Sequence, residues 1–129
     1  MIAIDTSAIL VLLLAEEEAR EFRDAIRDAG RVAVSAGTAV ELAAVASRND
    51  ALFDAALAFL DEPYVTVEPV DTAQVAVAAQ AYRRYGKGHH PAGLNLGDVF
   101  AYALARVHNL PLLFKGDDFS RTGIEPAAR

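Results

Sequence analysis

The chain has 129 residues, of which 53% are hydrophobic and 23% are charged. This balance is typical of a single globular domain and not of a disordered chain. The sequence contains no cysteine, which excludes a disulfide framework, a thiolate zinc site and a cysteine nucleophile. The formal net charge of −6 makes the chain as a whole a poor ligand for nucleic acid, because contacts to phosphate need Lys and Arg. Two interpretations stay open: nucleic acid is not the partner, or the acids are concentrated at a cation site and the bases form a separate contact patch.

No segment reaches the roughly 18 apolar residues of a membrane-spanning helix. The opening segment IAIDTSAILVLLLA is interrupted by Asp5 and has no basic region before it, so it is a poor signal peptide. The lack of cysteine fits a reducing compartment. We therefore expect a soluble cytoplasmic protein with no membrane partner.

The first half of the chain alternates short apolar strands with pairs of helices. The segments MIAID (1–5) and RVAVS (31–35) are predicted strands, and their uninterrupted apolar residues suit a parallel sheet covered on both faces. Thr6 or Ser7 is expected to cap the first helix. The helices predicted in this half are AILVLLLA (8–15), 16–29, TAVELAAVAS (38–47) and DALFDAALAFLD (50–61).

The second half continues the same alternation. Its predicted elements are a strand at 65–70, a helix at 73–85 capped by Asp71 or Thr72, a loop at 86–95, a helix at 96–108, a strand at 110–114 and a possible edge strand at IEP (124–126). The resulting order, β-α-α-β-α-α-β-α-α-β, predicts one α/β domain over residues 1–129. Its central sheet should be mainly parallel, with four or five strands.

Several acidic residues are expected at one end of this sheet. Ligands of parallel α/β sheets bind beyond the carboxyl ends of the strands. Asp5 follows the first strand, and Asp117 and Asp118 follow the strand LPLLF. Glu41 and Asp98 occur in helical segments with small or apolar neighbours, where a buried charge is costly unless it is paired or bound to a metal.

Each of these acids has an ordinary explanation when it is taken alone, as a helix cap or a solvent-facing side chain. A helical reading places Glu41 on one stripe with Thr38, Leu42 and Val45, which directs it inward. Like charges a few ångströms apart repel, so a cluster of such acids needs protons or a cation. Oxygen ligands suit Mg²⁺ or Mn²⁺. A pair of these ions, about 3.5–4 Å apart, can activate water and stabilise the leaving oxygen in phosphodiester cleavage.

The densest basic stretch is YRRYGKGHHP, which contains Arg83, Arg84 and Lys87. Two interpretations stay open. These side chains contact RNA phosphates beside the acids, or they form a solvated helix end where cations favour the helix dipole. His89 and His90 are adjacent, and adjacent side chains rarely converge on one ion. The two histidines are therefore poor candidates for metal ligands.

The sequence resembles the PIN-domain ribonucleases, in particular the VapC toxins of bacterial toxin–antitoxin pairs. The segments that carry the resemblance are IDTSAIL, VELAAV, YGKGHHPAGLNLGDVFAYALA and LPLLFKGDDFSRTGI, in the family's order over nearly the whole chain. The resemblance implies a PIN-like three-layer α/β/α sandwich and an endoribonuclease that depends on Mg²⁺ or Mn²⁺. It also implies an RNA substrate of the translation machinery, such as tRNA, a homodimer, and neutralisation by a VapB-type antitoxin.

The resemblance also assigns the site residues by position. Asp5, Glu41 and Asp98 match the first three acids of the PIN site, and Asp5 and Asp98 are the expected holders of the main metal. The fourth acid usually precedes the Phe directly, which selects Asp118, with Asp117 as the alternative. The supporting polar residues are Thr6 or Ser7 beside the first acid and Asn95 before the third.

Other protein classes fit less well. A receiver-type phosphoacceptor needs a phosphorylatable Asp after its central strand, where VTVEPV offers Glu68. A haloacid-dehalogenase-type phosphatase needs a second Asp two residues after the first, where Ser7 stands. A PIN fold kept only for binding would not need its acids, yet all four positions are filled.

Overall fold

The computed structural model describes residues 1–128 and contains the elements in the predicted order. None of its helices is both long enough and apolar enough to cross a membrane. The strands are β1 (Ile2–Ile4), β2 (Val32–Ser35), β3 (Val65–Glu68) and β4 (Leu112–Leu113). The helices are α1 (Thr6–Leu13), α2 (Ala19–Ala29), α3 (Ala36–Ala46), α4 (Asp50–Leu60), α5 (Thr72–Tyr85) and α6 (Asp98–His108).

The sheet has the strand order β3-β2-β1-β4, and every pair of neighbours in it is parallel. Strands β1 and β4 are direct neighbours, with Ile4 opposite Leu113. The chain therefore leaves both strands at the same edge of the sheet, as the placement of the acids requires. The expected fifth strand is reduced to a single bridge between Leu112 and Pro126.

Alternate residues of the central strands supply the two halves of the core. Ile2 and Ile4 point to one face, into a cluster built from helices α1 to α4. Ala3 and Ala33 point to the other face, into a cluster built from α5 and α6. The sheet is thus covered on both faces, which confirms the predicted three-layer α/β/α architecture.

Several helix starts differ from the predicted ones, and for the first two helices the hydrogen bonds show the reason. Asp5 caps α1 by accepting a hydrogen bond from the backbone N–H of Ser7, so the cap is neither Thr6 nor Ser7. Helix α2 begins at Ala19, because the preceding glutamates form a turn in which the N–H of Glu16 donates to the carbonyl of Val11.

Candidate active site

Asp5 lies at the carboxyl end of β1 and is only 3% exposed. Its Oδ2 accepts hydrogen bonds from Ser7, at 2.7 Å from the hydroxyl and 3.0 Å from the backbone N–H. Its Oδ1 is buried and has no hydrogen-bond partner among the described residues. Burial raises the pKa of Asp5 to about 6; the Ser7 hydrogen bonds oppose this rise and the charge of Glu41 adds to it.

Asp98 is the first residue of α6 and is buried as well. Its Oδ2 accepts a hydrogen bond of 2.9 Å from the backbone N–H of Asn95. Burial is the main cause that raises the pKa of Asp98 to about 7, and the charges of Asp5, Asp118 and Glu41 raise it further. Asp98 is therefore within electrostatic reach of the other three predicted acids.

Glu41 reaches this edge from the middle of α3. Its Oε1 accepts a hydrogen bond of 2.5 Å from the hydroxyl of Thr6. The prediction for its helix was wrong at Val45, which is 49% exposed. The buried stripe of α3 is formed by Thr38, Leu42 and Ala46, and the half-buried Glu41 lies at its margin.

The loop after β4 brings the last pair of acids. Asp117 and Asp118 are both exposed, and Phe119 directly after them is buried. The ring of Phe119 packs against Phe114, with centroids 5.2 Å apart. Asp118 is the acid of this loop whose charge acts on Asp98, which favours it over Asp117 as the fourth member.

The supporting polar residues have distinct partners. Thr6 holds Glu41, Ser7 holds Asp5, and Asn95 holds Asp98 through its backbone N–H while its side chain is exposed. One oxygen of each of these three carboxylates is thereby fixed by a local donor. The second oxygen is left for another partner, and at Asp5 it is buried without one.

This donor set fits a hard divalent cation. The oxygens are carboxylate oxygens, which Mg²⁺ and Mn²⁺ prefer. Burial and the repulsion between the acids raise the pKa values of Asp5 and Asp98. A bound cation would offset the repulsion. Within residues 1–128, no three acidic or histidine side chains are already arranged to hold one ion together. The acids are thus assembled around a common edge without forming a complete metal cage.

The basic stretch ends α5 and begins the loop that leads to α6. Arg83 and Arg84 are exposed in the last turn of α5, and Lys87 is exposed in the following loop. The guanidinium of Arg84 lies 5.0 Å from the centre of the Tyr85 ring. His90 Nδ1 accepts a hydrogen bond from the backbone N–H of Ala92, so this ring stabilises the loop.

Two glycines that sequence reasoning missed allow α3 and α6 to approach closely. A side chain at Gly97 would overlap the carboxyl group of Glu41, and a side chain at Gly37 would overlap the ring of Phe100. The sequence signals for this contact were these two glycines, one of them directly before Asp98. Lys115 was also missed; its backbone N–H donates to the Ser7 hydroxyl at 3.0 Å.

The sequence matches the family model described as PIN domain over residues 2–125. Ribonuclease VapC42 of Mycobacterium tuberculosis is 46% identical over 127 residues, which cover 96% of this chain and 97% of the relative. Ribonuclease VapC of Mycolicibacterium smegmatis is 42% identical over 123 residues, which cover 94% and 95%. Both relatives therefore match along nearly their whole length.

Solved structures agree on the fold. The crystal structure of Mycobacterium tuberculosis VapC20, described as a sarcin–ricin loop cleaving toxin, has a TM-score of 0.78 at 19% identity and 100% coverage of both chains. A toxin–antitoxin complex from Klebsiella pneumoniae has a TM-score of 0.69 at 20% identity, with 95% of this chain and 93% of that chain covered. With the family match and the identity to the VapC relatives, these likenesses show that the chain belongs to the PIN domain family, among the VapC ribonucleases.

Proposed function

We propose that this protein is an endoribonuclease of the VapC type that hydrolyses RNA phosphodiester bonds with Mg²⁺ or Mn²⁺. The observation that carries the proposal is the assembly of Asp5, Glu41, Asp98 and Asp118 at one edge of the sheet, with the buried Oδ1 of Asp5 unpartnered. Relatives named as VapC ribonucleases over nearly the whole chain support the same activity.

The hydrogen bonds to Asp5, Glu41 and Asp98 support a separate role for each acid. Asp5 and Asp98 would hold the main cation through the oxygens that Ser7 and Asn95 leave free. Glu41, oriented by Thr6, and Asp118 would complete the site or orient the attacking water. A divalent cation bound there supplies a water of lowered pKa and charge neutralisation at the leaving oxygen. The protein's own contribution is to keep the acids close and oriented.

The substrate proposed is RNA of the translation machinery, such as tRNA, held by its phosphates. Arg83, Arg84 and Lys87 are exposed and follow one another at the end of α5, in the segment that leads to Asp98. Contacts of this kind position a nucleic acid without specifying its sequence. They would also allow a chain with a net charge of −6 to bind RNA, because these bases are separated from the acids along the chain.

The partners proposed are a VapB-type antitoxin and a second copy of the chain, in the cytoplasm. The toxin–antitoxin complex from Klebsiella pneumoniae, whose fold is similar to that of this chain, supports the antitoxin. A groove between α1, α2 and α4 offers an apolar surface for it, lined by Leu12, Ile26, Phe59 and Tyr64. Size-exclusion chromatography of the protein, alone and with the antitoxin from its own operon, checks both partners.

The proposed activity is tested by incubating the purified protein with total cellular RNA and Mg²⁺ or Mn²⁺, and then with EDTA. We expect discrete fragments that EDTA abolishes. Asp5→Asn should lower the cleavage rate by roughly 100-fold or more, since changing an outer-shell partner of a metal already costs about 10- to 100-fold. Circular dichroism checks that the variant is folded.

A matched pair decides the fourth acid. Asp118→Asn should lower the rate strongly, and Asp117→Asn should leave it near that of the wild type, because the charge of Asp118 acts on Asp98. The opposite ranking would assign the role to Asp117.

Folded protein that cuts no RNA with either metal would favour a PIN fold kept for binding. A receiver domain is disfavoured, since Glu68 ends the edge strand β3.

A further inference from the structure

Lys115 is fixed through both its backbone and its side chain. Its Nζ lies 2.6 Å from Glu16 Oε2 and 3.3 Å from Glu18 Oε2, and its backbone N–H donates to Ser7. All three partners lie in the segment that follows Asp5, about a hundred residues away in sequence. Ion pairs this exposed contribute little to global stability, so their effect is on local position.

The glutamates that hold Lys115 lie in a turn whose backbone is hydrogen-bonded to the helices on both sides. The N–H of Glu16 donates to the carbonyl of Val11 at 3.0 Å, and Ala15 between them has a φ of 51°. This is the hydrogen-bond pattern that closes a helix with one residue in the left-handed region. The carbonyl of Glu16 then accepts the N–H of Ala19 at the start of α2. The anchor is therefore fixed to two helices.

The acids of the β4 loop lie between two attachment points. At one end the buried Phe119 packs on Phe114. At the other end stands Lys115, followed directly by Gly116 with a φ of 98°. Glycine in this region allows backbone conformations that other residues rarely adopt. Without the Lys115 ion pairs, the loop could rotate at Gly116, which directly precedes the two acids.

The Lys115 attachment leads directly to the site. The Ser7 hydroxyl accepts from the N–H of Lys115 and donates to Asp5 Oδ2 at 2.7 Å. On the other side of the loop, the charge of Asp118 acts on Asp98. Lys115 is therefore hydrogen-bonded through Ser7 to the first acid, and it begins the loop that carries Asp118.

We propose that Lys115 is a positioning residue for the fourth acid: its ion pairs with Glu16 and Glu18 hold the loop 115–118 so that Asp118 faces the site. This inference rests on the proposed function. The inference assigns Lys115 no contact to RNA or cation, and its ammonium is paired with the two glutamates.

The test is Mn²⁺ binding by isothermal titration calorimetry without RNA, for the wild type, Lys115→Met, Glu16→Gln/Glu18→Gln and the triple variant. We expect Lys115→Met and the double variant each to weaken binding roughly tenfold, the lower end of the effect of outer-shell partners. The triple variant should be no weaker than either. Lys115→Arg should restore most of the affinity, and thermal unfolding midpoints should stay nearly unchanged. Arg48→Met, an exposed cation after α3, is the control of equal charge.

Electrostatics alone predicts the opposite result. Removing a cation near acids should tighten Mn²⁺ binding, so equal or tighter binding by Lys115→Met overturns the inference. A further loss in the triple variant would also overturn it, because Lys115 would then act on the ion directly. A wild type that binds no Mn²⁺ overturns both this inference and the proposed function; normal wild-type binding with an unaffected Lys115→Met overturns this inference alone.

Discussion

At the scale of single residues, Asp98 shows the strongest conflict between charge and burial. It is 8% exposed, and its pKa of about 7 lies well above the ordinary 3.8. Between these pH values the folded protein binds a proton that the unfolded chain does not, so stability without metal falls as the pH rises from about 4 to about 7. Asp98→Asn should therefore stabilise the metal-free protein by about 1–3 kcal/mol at pH 8 and very little near pH 4. Urea unfolding in EDTA at both pH values measures this.

The matched control for Asp98→Asn is Asp117→Asn, which neutralises an exposed acid of the same region. It should change the urea midpoint little at either pH. Mn²⁺ should stabilise the wild type and not Asp98→Asn, because a ligand that binds only the folded state adds to its stability. Equal midpoints of the wild type and Asp98→Asn at pH 8 would contradict the prediction.

The sequence was enough to select the acids but not to assign their local partners. Glu41 and Asp98 were identified because a carboxylate among apolar neighbours is costly without a partner, and Asp5 because it follows the first strand at the ligand-binding edge of the sheet. Thr6 and Ser7 are adjacent and chemically alike, yet one holds Glu41 and the other holds Asp5. Which carboxylate each hydroxyl binds depends on the direction in which the side chain leaves α1. That direction can be predicted only when the first residue of the helix is known.

At the scale of elements, the contact between α3 and α6 depends on two glycines. Gly97 receives the carboxyl group of Glu41, and Gly37 receives the ring of Phe100. Gly97→Ala should displace the end of the flexible Glu41 side chain without unfolding the domain. We expect cleavage to fall by about tenfold or more, since small displacements at a catalytic site cost that much. Rate constants with saturating RNA and Mn²⁺ measure the effect.

A double-mutant cycle separates this effect from a general loss of packing. In a Glu41→Gln background, Gly97→Ala should add less than it does in the wild type, because the two residues act on one group. Leu96→Ala, at an exposed neighbouring position, should leave the thermal midpoint near that of the wild type. Additive effects of Gly97→Ala and Glu41→Gln would show that Gly97 acts elsewhere.

The same contact shows what the element pattern left out. Apolar runs and caps predicted the order of the helices and strands, because burial and hydrogen bonding act locally along the chain. The close approach of α3 and α6 joins residues about 60 positions apart and leaves only two glycines as its trace. The predicted inward stripe of α3 was wrong at Val45, which is exposed, for a related reason. A helical wheel shows which residues share a face, but not how much of that face the neighbouring helices cover.

At the scale of the whole molecule, charge is divided along the chain. Residues 1–71 contain 14 of the 18 acids and 5 of the 12 Lys and Arg residues, whereas residues 72–97 contain no acid. The latter segment, with Arg83, Arg84 and Lys87, is α5 and the loop before α6. A chain with a net charge of −6 can therefore still present a positive surface to an RNA backbone.

This division predicts a salt-dependent contact that a matched variant can isolate. The triple Ala variant of Arg83, Arg84 and Lys87 should weaken RNA binding and lower the slope of log affinity against log salt by roughly 2, since each phosphate contact adds about 0.7 for single strands. The control is the triple Ala variant of Arg20, Arg23 and Arg27 on α2, which changes the net charge equally. Of these three arginines, Arg27 pairs with Asp24 and Asp28 and is partly neutralised in place. Fluorescence anisotropy of a labelled RNA, with Asp5→Asn as the background to prevent cleavage, gives both slopes. If the two triple variants lower the slope equally, only net charge matters and the α5 end is a solvated helix terminus. A drop confined to the first variant shows that RNA phosphates contact the α5 end.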